Sequence, residues 1–182
     1  VIIIGYGISG QLLTSSLRSL SIETIVLEMN SDNVRYGRER GDPVYYADAT
    51  SEEALGHAHL KSCRAVVVMI NDHAATERVL ASINRLDGNI PIFVRTQYMT
   101  GIEDFRKFKP AGIVSCEIEG GLEVLSQVLR KLEVPRNVII KEVDHARSET
   151  MHSDREFKES PLPLHHHQEL KSLTVENILL IK

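Results

Sequence analysis

The chain has 182 residues, 42% hydrophobic and 25% charged, and is long enough to bury one full core. Its 21 lysines and arginines against 25 aspartates and glutamates give a formal net charge of −4, which argues against a general attraction to nucleic acid. The two cysteines, Cys63 and Cys116, form no CxxC pair and are typical of a reducing compartment rather than of a disulfide scaffold.

The sequence contains no run of about 18 apolar residues, so it offers no candidate transmembrane helix. Residues 1–4 already form an apolar run, and a second apolar stretch begins after Leu170. We therefore expect further residues to precede Val1 and a further small domain to begin near the C-terminal end.

Six short apolar runs, separated by helical patterns, predict β-strands. They are residues 1–4, 24–27, 44–47, 65–70, 90–94 and 112–114. Because these runs carry few polar residues, both faces of each strand are expected to be covered, as in a parallel sheet with helices on each side. The sequence therefore predicts an α/β fold, a Rossmann-type doubly wound parallel sheet of about six strands.

Apolar residues at helical spacing predict the helices between and after these strands. They are Leu12, Leu13, Leu17 and Leu20; Leu55 and Leu60; Val79, Leu80, Ile83 and Leu86; and, after the sixth strand, Ile118, Leu122, Leu125, Leu129 and Leu132. Pro135 interrupts the last of these helices, and Val138, Ile139, Val143 and Ala146 predict another. We expect one main domain over residues 1–117, a helical arm and polar linker over 118–160, and the start of a further small domain over 161–182.

A glycine-rich turn follows the first strand and opens the first helix. Its residues are Gly5, Tyr6, Gly7, Ile8, Ser9 and Gly10, in the GxGxxG pattern. Gly5 permits a tight turn, Gly7 lets the backbone approach a pyrophosphate, and Gly10 lets the helix pack close to the sheet. The turn therefore predicts phosphate binding, and the alternative is a degenerate Rossmann domain that retains the turn for packing alone.

Glu28 ends the second strand, about 20 residues after the glycines, where an acidic side chain accepts hydrogen bonds from the adenine-side ribose. Its carboxylate would repel a 2′-phosphate, and Met29 and Asn30 offer no guanidinium to receive one, so NADP is disfavoured. Arg35 is the nearest arginine. Alternatively, Glu28 is an ordinary solvated strand end.

Polar residues also follow the third, fourth and fifth strands, at the edge where an adenine ring and its phosphates would lie. They are Asp48, Ala49 and Thr50, then Asn71 and Asp72, and then Arg95. Asp48 is a candidate acceptor for the adenine amino group, while Thr50 or Ser51 is a candidate helix cap. Arg95 is expected to balance a phosphate or another anion, with a surface salt bridge as the alternative.

The histidines do not predict a metal site. His57 and His59 are two residues apart and so point to different sides of a helix. The three consecutive histidines at 165–167 lie in a proline-flanked stretch and do not converge easily on one ion. We expect solvated histidines and no bound metal.

Together these residues resemble the RCK domain, which is also called TrkA-N or KTN. The resemblance is carried by the glycine turn, Glu28, the Asp48-Ala49-Thr50 sequence with its acidic helix start, the strand that ends at Asp72, and residues 91–95. It covers roughly residues 1–135. It implies an adenine nucleotide as the ligand, NAD(H) or AMP, ADP or ATP.

Members of this family are cytoplasmic ligand-sensing domains of potassium channels, potassium uptake systems and Kef-type cation/proton antiporters. The resemblance implies a homodimer in which the helices after Ile118 cross to the partner, and a transmembrane transporter or channel domain that is fused upstream or separate. Nucleotide binding at the cytoplasmic face of the membrane would change the dimer angle and gate transport. From the residues alone, the stripe of Val138, Ile139 and Val143 needs either a partner surface or its own domain to cover it.

Two other functional classes compete with a ligand-sensing regulatory domain. An NAD-dependent oxidoreductase fragment would need a proton donor and a substrate pocket, yet none of the five tyrosines begins a Tyr-x-x-x-Lys pair. A ligand-free dimerisation module would not need Gly5, Gly7, Gly10 and Glu28 together. We expect a regulatory domain and no enzyme.

Overall fold

The fold is given by a computed structural model that describes residues 1–153. Two compact units are distinguished, one of Val1–Val128 and one that begins at Leu129. The division falls inside a helix, later than the predicted boundary at residue 117. The predicted segment 161–182 lies outside the described residues.

All six predicted strands are present, and all run parallel. They are β1 (Ile2–Ile4), β2 (Ile25–Glu28), β3 (Val44–Tyr46), β4 (Val66–Val68), β5 (Ile92–Thr96) and β6 (Gly112–Ser115). Their order in the sheet is β3-β2-β1-β4-β5-β6, which confirms the Rossmann-type prediction. The order reverses between β1 and β4, and the carboxyl ends of strands at such a switch point form a ligand-binding crevice.

Seven α-helices and one short 3₁₀ turn connect and follow the strands within residues 1–153. They are α1 (Ile8–Ser19), α2 (Ser31–Glu39), α3 (Glu52–His57), the 3₁₀ turn Leu60–Ser62, α4 (His73–Leu86), α5 (Thr100–Arg106), α6 (Cys116–Lys131) and α7 (Arg136–Ser153). The apolar pattern did not predict α2 and α5. Among the residues of α2 only Val34 and Gly37 are buried, so this helix has almost no apolar stripe to detect.

Successive side chains along the strands pack into two different cores, one on each face of the sheet. Ile2 and Ile4 of β1 belong to the larger core, which includes Leu55, Leu80 and Phe105 from the helices on that face. Ile3 points to the other face and packs in a smaller core with Tyr6, Val26, Val34 and Val44. Burial on both faces explains why the strands carry few polar residues.

The helices after β6 carry apolar residues on more than one face. On α6, Ile118 and Leu122 are buried, whereas Val124 and Val128 are 62% and 49% exposed. On α7, Ile139 is buried and Val143 and Ala146 are half-buried, so three of the four residues in the predicted stripe are at least partly covered. Val138, the fourth, is exposed. No helix among residues 1–153 is long and apolar enough to cross a membrane.

The turn between β1 and α1 depends on two glycines that approach each other closely. Gly5 has a φ of +103°, a conformation that favours glycine. A Cβ atom on Gly10 would lie 2.1 Å from the Gly5 carbonyl oxygen, so only a hydrogen fits there. In contrast, a Cβ on Gly7 would meet nothing within 4 Å. Gly10 therefore sets the distance between α1 and the end of β1.

Gly10→Ala is expected to lower the free energy of unfolding by roughly 1–3 kcal/mol, because its methyl group would overlap the backbone of Gly5. Gly7→Ala is the matched control, since its φ of −68° suits any L-residue and its Cβ has open space. That variant is expected to change the free energy of unfolding by less than about 0.5 kcal/mol. Urea denaturation followed by circular dichroism measures both, and equal destabilisation of the two variants would contradict this account of the turn.

Candidate functional site

A cavity of about 340 Å³ lies at the carboxyl ends of β1, β2 and β4, beside the segment that follows β3. Nine of the predicted site residues line it. These are Gly5, Gly7, Glu28, Met29, Asp48, Ala49, Thr50, Asn71 and Asp72. The fold thus brings together the glycine turn and the polar residues that end β2 or follow β3 and β4.

The N-terminus of α1 has no side-chain cap. Gly7 is the N-cap residue and offers no side-chain hydrogen bond to the first turn, which also contains no acidic residue. The three helices that follow are capped by Asn30, Ser51 and Asp72, whose side chains accept from backbone N–H groups. Because the first N–H groups of a helix need acceptors, α1 presents unsatisfied donors and a positive dipole end beside Gly7.

Glu28 is held in place by two backbone N–H groups. Tyr6 N–H donates to Oε2 at 2.6 Å, and Asn30 N–H donates to Oε1 at 2.7 Å. Asn33 Nδ2 lies 3.5 Å from Oε2. A carboxylate has about four acceptor positions, so Glu28 keeps one free position on Oε1, and a second on Oε2 once the long contact from Asn33 is displaced.

Within residues 1–153, no arginine side chain lines the cavity beside Glu28. Arg35, the nearest arginine in the sequence, pairs with Asp32 at 2.8 Å, and both side chains are more than 70% exposed. Met29 is also exposed. The carboxylate of Glu28 therefore dominates the charge at this position.

Asp48 is ordered by its neighbour rather than by capping a helix. Its Oδ1 accepts from the N–H of Thr50 at 2.9 Å and from the Thr50 hydroxyl at 2.7 Å. The cap of α3 is Ser51, whose Oγ accepts from Ala54 N–H. The hydrogen bonds from Thr50 lower the pKa of Asp48 below its ordinary value, so its carboxylate is an ionised acceptor at neutral pH.

Arg95 lies near the end of β5, and within residues 1–153 its side chain donates to three side chains, none of them a carboxylate. Nη1 donates to Asn71 Oδ1 at 2.5 Å, Nε donates to Cys116 Sγ at 2.8 Å, and Nη2 donates to Gln97 Oε1 at 3.2 Å. Arg95 forms no salt bridge with any of the described residues, so the surface salt bridge considered as the alternative role for Arg95 is not present there. Arg95 does not line the cavity itself but contacts it through Asn71.

Four other predicted site residues also lie outside the cavity lining. The Tyr6 side chain is fully buried, Ile8 is 89% exposed, Ser9 is half-buried, and Gly10 packs against Gly5. Their side chains are therefore not placed to contact a molecule in the cavity. Any contribution of Ile8, Ser9 and Gly10 would come from the backbone of the first turn of α1.

The helices contribute lining residues that the sequence motifs did not indicate. Asn33 comes from α2, and Ala75 and Val79 come from α4. Asn33 lies on a helix that the apolar pattern missed. Val79 was predicted as a core residue, and its 3.6-residue spacing gave no sign that the same side chain also borders a cavity.

A larger cavity of about 690 Å³ lies at the opposite end of the sheet and is less suited to an anion. It is lined by residues at the amino ends of β1 and β2, by Arg18 in the last turn of α1, and by Ser21 just after that helix, where the helix dipole is negative. Within residues 1–153, no group of three or more His, Cys, Asp or Glu side chains is arranged to hold a metal ion.

Curated relatives and solved structures resemble this chain over most of its length. A K(+) efflux antiporter 1, chloroplastic, from Arabidopsis thaliana is 27% identical over 148 residues, which cover 81% of this chain and 12% of that protein. The glutathione-regulated potassium-efflux system protein of Haemophilus influenzae is 28% identical over 146 residues, 79% of this chain and 24% of that protein. The chain therefore spans less than a quarter of the length of these relatives.

The solved structures extend the comparison to the fold. The Shewanella denitrificans Kef CTD in AMP-bound form has a TM-score of 0.74 and 17% identity, over 86% of this chain and 96% of that one. The TrkA-N domain of the inner membrane protein ybaL from Escherichia coli has a TM-score of 0.65 and 25% identity, over 69% of this chain and 93% of that one. The GsuK channel bound to NAD has a TM-score of 0.60 and 18% identity, over 70% of this chain and 22% of that one.

Residues 1–115 match the TrkA-N domain family. This segment contains all six strands, the glycine turn and all the predicted site residues. The match agrees with the resemblance that the glycine turn, Glu28 and the Asp48-Ala49-Thr50 sequence indicated. The chain belongs to the TrkA-N domain family.

Proposed function

We propose that this chain is a regulatory domain that binds an adenine nucleotide in the cavity beside Gly7. The phosphates lie on the backbone of Gly7 and the first turn of α1, and the ribose hydroxyls donate to Glu28. The adenine ring extends towards the segment of Asp48, Ala49 and Thr50, with the ionised Asp48 carboxylate as acceptor for its amino group. Gly5 keeps the turn tight enough for this approach.

The observation that carries this proposal is the uncapped N-terminus of α1. The other helices that open at this edge after β2, β3 and β4 satisfy their first turn with Asn30, Ser51 or Asp72. Only α1 among these four leaves its donors to an external acceptor, and it does so beside a cavity that also holds a fixed carboxylate. In a nucleotide, the phosphate suits the N–H donors of α1, and the adjoining ribose suits the carboxylate acceptor of Glu28.

These residues would contact only the adenosine and its first phosphates, so they do not distinguish among nucleotides that share this portion. NAD(H), AMP, ADP and ATP share that portion, whereas NADP adds a charge that Glu28 would repel. The AMP-bound Kef CTD and the NAD-bound GsuK channel share the fold and support ligands of this class. The nucleotide is proposed as a regulatory ligand, with no catalytic role for the chain.

The proposed output is the gating of potassium or cation/proton transport. The relatives are named as potassium efflux systems, and the aligned segment is only a small part of each. A transmembrane transporter or channel domain, fused upstream or separate, would supply the transport pathway. The nucleotide-binding domain would then act from the cytoplasmic face of the membrane.

We propose a homodimer formed through the helices after Ile118. The face of α6 that carries Val124 and Val128 is apolar and exposed. A helix that buries Ile118 on one side and exposes this row on another is typical of a partner interface. Nucleotide binding controls transport only if one dimer geometry binds the nucleotide more tightly than the other.

Glu28→Arg is expected to weaken AMP binding at least tenfold, because it removes the ribose acceptor and fills its place with a bulky donor. The same variant is expected to narrow the preference for NAD over NADP, since the arginine can pair with a 2′-phosphate. Glu23→Arg is the matched control, an exposed glutamate outside the cavity. Isothermal titration calorimetry measures both variants, and unchanged AMP affinity in Glu28→Arg would contradict the ribose assignment.

Val124→Asp combined with Val128→Asp is expected to convert the dimer to a monomer, because two carboxylates would be buried in an apolar contact. Leu20→Asp is the control, since Leu20, just after α1, is an apolar side chain that is 68% exposed and lies outside the proposed interface. Sedimentation equilibrium of the 182-residue chain gives the mass of each protein. A wild-type monomer, or a double variant that remains dimeric, would contradict the proposed interface.

A further inference from the structure

The side chain of Tyr6 is directed away from the cavity, although its neighbours Gly5 and Gly7 line it. Its ring is fully buried in the smaller core, against Gly37 of α2 and Val44 of β3. A Cβ atom on Gly37 would lie 2.8 Å from the Tyr6 Cε1 atom, so the glycine leaves the space that the ring occupies. The phosphate turn is thus anchored by a side chain that reaches between two elements on the far side of the turn.

The hydroxyl group of Tyr6 donates to Oδ2 of Asp42, in the turn between α2 and β3. Burial, reinforced by this carboxylate, raises the pKa of Tyr6 to about 12, so the phenol remains a protonated donor at neutral pH. The Asp42 side chain is 1% exposed, and its Oδ1 accepts from Arg18 Nη1 at 2.5 Å. The buried carboxylate is therefore compensated both by a hydroxyl donor and by a half-exposed guanidinium.

The hydrogen bonds of Asp42 to Tyr6 and to Arg18 join three separate parts of the chain. Tyr6 belongs to the phosphate turn, Arg18 to the last turn of α1, and Asp42 to the connection that leads into β3. The main chain of Tyr6 is fixed as well, because its carbonyl accepts from Gln11 Nε2 at 3.1 Å and its N–H donates to Glu28. Without the hydroxyl group, the ring of Tyr6 would still pack in the smaller core, but the hydrogen bond that fixes its position relative to Asp42 would be lost.

We infer that Asp42, together with the Tyr6 hydroxyl, is a positioning residue for the phosphate turn. The hydrogen bonds among Tyr6, Asp42 and Arg18 hold the glycine turn in the position where the backbone N–H groups of Gly7 and the first turn of α1 can donate to a phosphate. It does not hold the adenosine subsite, because Glu28 is also fixed by Asn30 N–H and Asp48 is fixed by Thr50. The inference rests on the proposed nucleotide binding and adds a specific role for a contact outside the cavity.

The test compares AMP with adenosine, which lacks the phosphate, in the 182-residue chain. Tyr6→Phe keeps the ring that packs against Gly37 and removes the hydroxyl. Its dissociation constant for AMP is expected to rise roughly tenfold, the effect of one charge-assisted hydrogen bond, whereas that for adenosine changes by less than about twofold. Tyr46→Phe is the matched control, since Tyr46 is 65% exposed and does not line the cavity.

Asp42→Asn provides a second variant that preserves side-chain volume. The amide retains an acceptor for the Tyr6 hydroxyl but loses the charge that holds Arg18, so its effect on AMP is expected to be smaller than that of Tyr6→Phe. Circular dichroism at the assay temperature establishes that each variant is folded. If Tyr6→Phe does not fold, Asp42→Asn carries the same comparison of AMP with adenosine.

The outcomes separate the two proposals. A wild-type chain that binds neither AMP nor adenosine would contradict the proposed nucleotide site itself. A wild-type chain that binds AMP, with variants that lose AMP and adenosine affinity equally or lose neither, would contradict the positioning role alone. The expected result is a weaker affinity for AMP with an unchanged affinity for adenosine, both measured by calorimetry. A merely structural role would not separate the two affinities.

Discussion

The close approach of Gly10 to the Gly5 carbonyl oxygen is the contact on which the rest of the candidate site depends. Because only a hydrogen fits between them, the first turn of α1 lies directly over the carboxyl end of β1. That position places the uncapped helix N-terminus at the reversal of strand order, next to Glu28 at the end of β2 and Asn71 after β4. A side chain at residue 10 would separate the phosphate donors from the ribose acceptor.

The sequence predicted the sheet well because each strand is short, apolar and buried on both faces. It missed α2 because this helix is strongly polar and only Val34 and Gly37 are buried, too few apolar residues to mark a stripe. In the site, local motifs identified the residues that follow strands, including Glu28 and Asp48. They did not identify Asn33, or the tie between Tyr6 and Asp42, because residues far apart in sequence meet only through tertiary packing.

A regulatory role places a particular demand on this arrangement. A nucleotide changes an equilibrium between dimer geometries only through a difference in affinity for them. Here the proposed ligand contacts the N-terminus of α1 and the end of β2, while the exposed apolar row of Val124 and Val128 lies on α6. If the chain gates transport as proposed, nucleotide binding beside α1 must therefore affect α6 through the strands and helices that lie between them.

The most direct test of the central claim is a thermal-shift titration of the 182-residue chain with NAD, NADH, NADP, AMP, ADP and ATP. A nucleotide at a hundred times its dissociation constant stabilises a folded protein by about 2.7 kcal/mol, which is readily detected. The account predicts a higher melting temperature with at least one of NAD, NADH, AMP, ADP and ATP, and none with NADP at the same concentration. No shift with any of the six, or a shift with NADP as large as with NAD, would contradict it.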